Sequence, residues 1–241
     1  MDFLITVLEQ GLIYGIMALG VYITYKILDF PDLSVDGTFP FGAAVTATLL
    51  KFGVNPYLTL LISFGAGLVA GICTGLIHVK FKVRDLLSGI IVMTGLYTVN
   101  MYIAGTNNVP LFSVNTIFRN DMLTSIFGEK IPQWMDIVVI LVIVIICKLL
   151  LDLYLKTQSG YLLRAVGDND IIVTSLAKDK GNVKILGLAI ANGLVALSGS
   201  VFAQQSRVFD ISMGTGALVI GLASVIIGFS FFKKLSFVKT T

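Results

Sequence analysis

The sequence predicts an all-α fold: a polytopic transmembrane helical bundle of about seven spans, forming one domain over residues 1–241. Three observations carry that prediction. Hydrophobic residues make up 56% of the chain and charged residues only 13%, where soluble domains carry about 25% charge. The uncharged runs 57–77, 86–103, 185–206 and 211–232 each approach or exceed the roughly 20 residues that cross a bilayer. Finally, 13 of the 17 Lys and Arg residues fall on one side when the spans alternate, a strong positive-inside bias.

The first span is expected over 4–27, interrupted by Glu9 and Lys26. It is not a cleavable leader, because no basic segment precedes it and its acids come early. The stretch "ILDFPDLSVDGTF" follows, with Asp29, Asp32 and Asp36 within eight residues. The next apolar run, Thr38–Lys51, is too short to span alone. A broken or re-entrant helix start is therefore expected over 29–38, at a depth where irregular backbone must be covered by protein or line a cavity. Asp32, Ser34 and Asp36 either line a pathway or cap the second helix. In the capping reading, Asp29 and Asp32 act from the cytoplasmic interface, or Ser34 or Asp36 is the N-cap.

Lys80, Lys82 and Arg84 separate the third and fourth spans. The fifth, Trp134–Tyr154, carries Trp134 at its outer edge and Asp136, Lys148 and Asp152 towards its ends. Asn100 in the fourth span and Asn192 in the sixth serve either a pathway or interhelical hydrogen bonds. Cys73 and Cys147 lie inside apolar runs and read as small packed hydrophobes. The charge bias puts the N-terminus outside, with the 155–183 loop and the C-terminus in the cytoplasm.

The acidic stretch has an echo. "FPDLSVDGTFPFGAAV" (30–45) and "VFDISMGTGALVIGLASV" (208–225) share an Asp, a branched apolar residue, Ser, another apolar residue and a nearby Gly-Thr. An odd number of spans separates the two copies, so an inverted repeat is expected, the arrangement of transporters whose pathway lies between the halves.

In the longest basic loop, 159–183, a short amphipathic helix is expected. Asp168, Asn169 or Asp170 would cap it and Gly181 or Asn182 would end it. Ile171, Ile172, Ser175 and Leu176 share one face, as a docking element would present. There is no phosphate-binding Gly-x4-Gly-Lys-Ser/Thr loop. The lone His78 has no cluster at metal spacing, and no Ser/His/Asp set suggests a triad. Neither a catalytic residue, a metal, a cofactor of the chain's own nor nucleic-acid binding is expected.

Two segments, "GLIYGIMALGVYITYKILDFPDLSVDG" and "GYLLRAVGDNDIIVTSLAKDKGNVKILGLAIANGLVALSGS", resemble permease subunits of bacterial ABC importers. The family is that of the branched-chain amino-acid and ribose permeases, and the likeness is strongest to the branch paired with tryptophan- or tyrosine-type binding proteins. The resemblance implies a homodimer in the bacterial cytoplasmic membrane and an extracytoplasmic solute-binding protein. It also implies cytoplasmic ABC ATPase subunits that bind the ATP and Mg. By match, Gly167, Asp168, Asn169, Asp170, Ile171, Ile172, Leu176 and Ala177 belong to the helix that couples to the ATPase. Asp32–Val35 matches a stretch near the translocation pathway.

Two departures stand out. Many members have Ala-Leu-Gly where this chain has Ser175-Leu176-Ala177. Relatives also continue through further hydrophobic sequence, so the ending "FSFFKKLSFVKTT" is expected to be cut short of its last helices. The reading is an importer permease moving a small solute, an amino acid by resemblance, with segment 106–133 receiving the binding protein. The alternative is an ion-coupled secondary transporter using Asp32 or Asp36.

Overall fold

A computed structural model describes residues 2–120, 134–168 and 180–233. Its elements are α1 (Asp2–Val21, continued by a π turn Tyr22–Ile27), α2 (Val35–Lys51), α3 (Pro56–Val79), α4 (Asp85–Ala104), β1 (Asn108–Pro110), α5 (Trp134–Leu155), α6 (Gln158–Asp168), α7 (Lys180–Ser206), β2 (Val208–Asp210), a 3-10 turn (Ile211–Gly214) and α8 (Ala217–Lys233). Among the described residues, six helices are long and apolar enough to cross a membrane. The expected short seventh is α2, at 17 residues. Its break is also where expected: α1 winds into the π turn, and α2 restarts only at Val35. The strands pair antiparallel, Asn108 opposite Asp210, and tie the chain after α4 to the chain after α7.

The hub is α7, buried over 72% of its apolar stretch against 17% for α5. Small residues make that possible. Gly67, Gly71 and Gly75 recur every fourth residue on α3, so they share one face. A Cβ on Gly71 would come within 2.2 Å of the Leu188 carbonyl oxygen, and one on Gly67 within 2.4 Å of the Asn192 oxygen. Without side chains the two backbones close to direct contact, the usual solution where lipid supplies no hydrophobic drive between helices. Hydroxyls then stitch the hub: Ser63 Oγ donates to Ala196 O at 3.0 Å, and Ser198 Oγ to Ile13 O at 2.7 Å. Between them lie Ile13, Ile16, Leu188 and Leu194 of one core, and Met17, Phe39 and Val195 of another.

By contrast, α5 leaves Val138, Leu141, Val142, Ile145, Ile146 and Leu149 exposed, the surface of a lipid-facing helix. After it comes α6, whose Leu163 and Val166 are buried. Gly167 at its end has no room for a side chain, since a Cβ would lie 1.7 Å from Ile27 O. One expectation is corrected here. Gly181 and Asn182 do not end a docking helix but lie in the first turn of α7. Gly181 is buried, so the residue that reads as a helix stop in sequence lies inside a helix instead.

Candidate functional site

The two Asp-x-Ser segments build the same local turn. Asp32 Oδ1 accepts from Ser34 N at 2.9 Å, and Asp210 Oδ1 accepts from Ser212 N at 2.8 Å. A short carboxylate reaching its own backbone two residues on holds the chain out of helix and aims the next helix. In each copy a new helix starts shortly after the turn. The first copy enters from the end of α1 and the second from the far end of α7.

The copies meet. Asp36, in the first turn of α2, does not cap its own helix; its Oδ1 accepts from Leu218 N at 2.7 Å and its Oδ2 from Gly216 N at 3.3 Å. Those are the orphan N–H groups at the start of α8. The starts of α2 and α8 therefore lie side by side, and one carboxylate answers the positive ends of two helices. Gly214 seals the junction, for a Cβ there would lie 2.1 Å from Asp36 O.

Beneath this junction lies a closed polar cluster of Asp32, Ser34, Thr38 and Asn192, all fully buried. Asn192 Nδ2 donates to Asp32 Oδ2 at 2.7 Å and to Leu188 O at 3.1 Å. Its Oδ1 accepts from Ser34 Oγ at 3.1 Å and Thr38 Oγ1 at 2.8 Å. Two acceptors on one side and two hydroxyls on the other leave the amide a single orientation. Asn192 stands twelve residues into α7, about 18 Å along its axis, so the cluster sits halfway through the bundle. Gly89 of α4 closes it from the side, where a Cβ would meet Leu33 N at 2.7 Å. No cation pairs with Asp32 among the described residues.

Of the predicted pathway residues, Asp32, Ser34 and Asn192 come together, while Asp36, in the first turn of α2, faces the start of α8 instead. Asn100 reaches the same helix from α4, Nδ2 donating to Gly37 O at 3.1 Å, while its buried Oδ1 has no partner. The capping expectations change. Ser34 occupies the N-cap position of α2 without a side-chain cap bond, its hydroxyl going to Asn192. Asp29 is exposed, with a left-handed φ of 50°. Gly167 is seated against Ile27; Asp168 closes α6, and Asn169, Asp170, Ile171, Ile172, Leu176 and Ala177 lie outside the described residues.

Sequence reasoning missed three partners. Thr38 joins the cluster, and Gln205 Nε2 donates to the buried Glu9 at 2.8 Å. Gln204 Oε1 accepts from Ile117 N at 2.9 Å, fastening the segment after β1 to α7. An acid interrupting an apolar span was the available signal for Glu9. At the second turn, the Ser212 hydroxyl and then its N–H hold the Asp210 carboxyl below the usual carboxylate range.

Residues 3–233 match the family described as branched-chain amino acid transport system / permease component. A tyrosine transport system permease protein of Clostridioides difficile (strain R20291) is 50% identical, over 100% of this chain and 78% of its own length. A probable branched-chain amino acid transport permease protein, LivH, of Methanocaldococcus jannaschii is 26% identical over 89% of this chain and 70% of its own. The ribose import permease protein RbsC of Haemophilus influenzae is 23% identical over 94% and 68%. No solved structure matches the chain.

Proposed function

The chain belongs to the branched-chain amino acid transport system permease family, and from that premise we propose that it is the membrane subunit of an ATP-driven importer for an amino acid of the tyrosine type. The observation that carries the substrate class is the 50% identity, along the whole chain, to a tyrosine transport permease. The sugar permease stands much further off, at 23%. In this reading ATP and Mg are bound by a cytoplasmic ABC ATPase, two permease chains pair, and a solute-binding protein docks on the outer face. The subunit sits in the bacterial cytoplasmic membrane with its N-terminus outside, a reading supported by the basic residues at the opposite end of the bundle.

The described residues suggest how ATPase motion reaches the pathway. Gly167 adjoins the coupling segment and rests on Ile27 O at the end of the first span. Five residues later the same strand of chain carries Asp32 into the central cluster. A displacement of 168–177 would thus pull on the broken segment, and the Asp36–α8 contact is where the halves would part. Asn100 Oδ1 is the buried side-chain oxygen of this set with no hydrogen-bond partner among the described residues, which suits it to a passing solute better than the already bonded Asp32, Ser34 and Asn192.

The test is an affinity pull-down of the tagged chain from native membranes, repeated with Leu176→Asp. A phosphate-loop ATPase that co-purifies with the first and is lost with the second is the expected result. Recovery of no ATPase with either, in membranes shown to transport, would overturn the reading in favour of an ion-coupled carrier.

A further inference from the structure

At the basic end of the bundle the structure builds a cleft of about 480 Å³ between the α3–α4 connection and the start of α7, lined by His78, Val79, Lys82, Val83, Arg84, Lys180, Gly181 and Lys184. Its construction follows from two contacts. Gly75 lets α3 close on α7, where a Cβ would lie 2.8 Å from Ile185 Cα, so the next turn of α3 runs beside Gly181 and Lys184. The connection then folds back over the helix end. Lys82 takes a left-handed φ of 54°, and His78 Nδ1 lies 2.9 Å from Val83 O and 3.1 Å from Asp85 Oδ1. Both partners accept, so Nδ1 carries the hydrogen.

The result is a concave site with four cations, Lys82, Arg84, Lys180 and Lys184, and an apolar wall of Val79 and Val83. Among the described residues Asp85 is an acid near the cleft, and it is turned to His78. On either side the chain leaves Phe81, Leu86, Leu87 and Leu186 between 42% and 75% exposed. A soluble anion would use only the cations. A ligand with a phosphate and acyl chains uses both the cations and the apolar flanks.

We propose that this cleft binds the phosphate headgroup of an anionic phospholipid, its acyl chains lying on the flanking apolar side chains. Basic recesses between transmembrane helices on the cytoplasmic side suit such headgroups. The site takes its orientation from the function proposed above, but its test reads bound lipid and not transport, so the two fail separately.

The experiment places the purified chain in phosphatidylcholine nanodiscs and titrates in spin-labelled phosphatidylglycerol, the immobilised fraction being read by electron paramagnetic resonance. Phosphatidylglycerol should be held in preference to labelled phosphatidylcholine. Arg84→Gln with Lys184→Gln should cut that preference by about tenfold or more. The charge-conserving pair Arg84→Lys with Lys184→Arg should retain it, which separates lost charge from misfolding. Lys148→Gln with Lys156→Gln, on the same end of the bundle, should leave it unchanged. Absence of a preference, equal loss in that control, or displacement by millimolar inorganic phosphate would overturn the proposal. So would loss of a co-purifying ATPase with the lipid preference intact, which would make the cleft a protein-docking site.

Discussion

Asn192 makes all four hydrogen bonds its amide can offer, whereas Asn100 leaves its oxygen unused. The two should answer mutation differently. Asn192→Leu removes a donor from buried Asp32 and leaves the Ser34 hydroxyl without its acceptor, while the Thr38 hydroxyl keeps Ser34 O at 2.9 Å. It should cost about 2–4 kcal/mol of stability, read as thermal unfolding in detergent. Asn100→Leu gives up one bond to Gly37 O and should cost about 1 kcal/mol or less. Its effect should appear instead as a raised KM for uptake, with folded yield preserved. Asp36→Asn keeps the size of the side chain but removes the charge between two helix starts. Uptake should fall about tenfold, while the protein still inserts and purifies as a monodisperse species.

At the scale of the element, the α3–α7 pair depends on residues that are absent as much as on those present. Gly71→Val should break it, since even a Cβ would meet Leu188 O at 2.2 Å; the loss should exceed about 2 kcal/mol. Gly65 on the same helix has open space at its Cβ position. Gly65→Ala should therefore be neutral or stabilise by up to about 1 kcal/mol, as measured by the same unfolding assay. The contrast was not legible in the sequence, where the two glycines look alike. Span positions, by comparison, were legible because lipid demands long uncharged runs. The restart of α2 was legible because three acids cannot continue such a run. What stayed hidden was which groups face each other. Asp36 looked like a cap for its own helix, and only the fold brings the start of α8 to it. The helix at Gln158–Asp168 was overlooked because it is short, at 11 residues, and the chain after it carried the stronger signal of the basic loop.

For the whole molecule, the repeat has a consequence beyond symmetry. Two broken segments enter from opposite ends of the bundle, make the same Asp-to-Ser turn, and set two helix starts against one carboxylate. Inverted halves meeting in this way are what alternating access uses, whether ATP or an ion gradient supplies the energy. The central claim is that ATP does. The most direct measurement is uptake of radiolabelled tyrosine into proteoliposomes holding the chain together with the ABC ATPase and solute-binding protein proposed as its partners. Uptake that requires ATP and persists when ionophores collapse every ion gradient is the predicted result. Uptake by the chain alone, driven by an ion gradient and abolished by Asp32→Asn, would contradict it and make the central carboxylates an ion site.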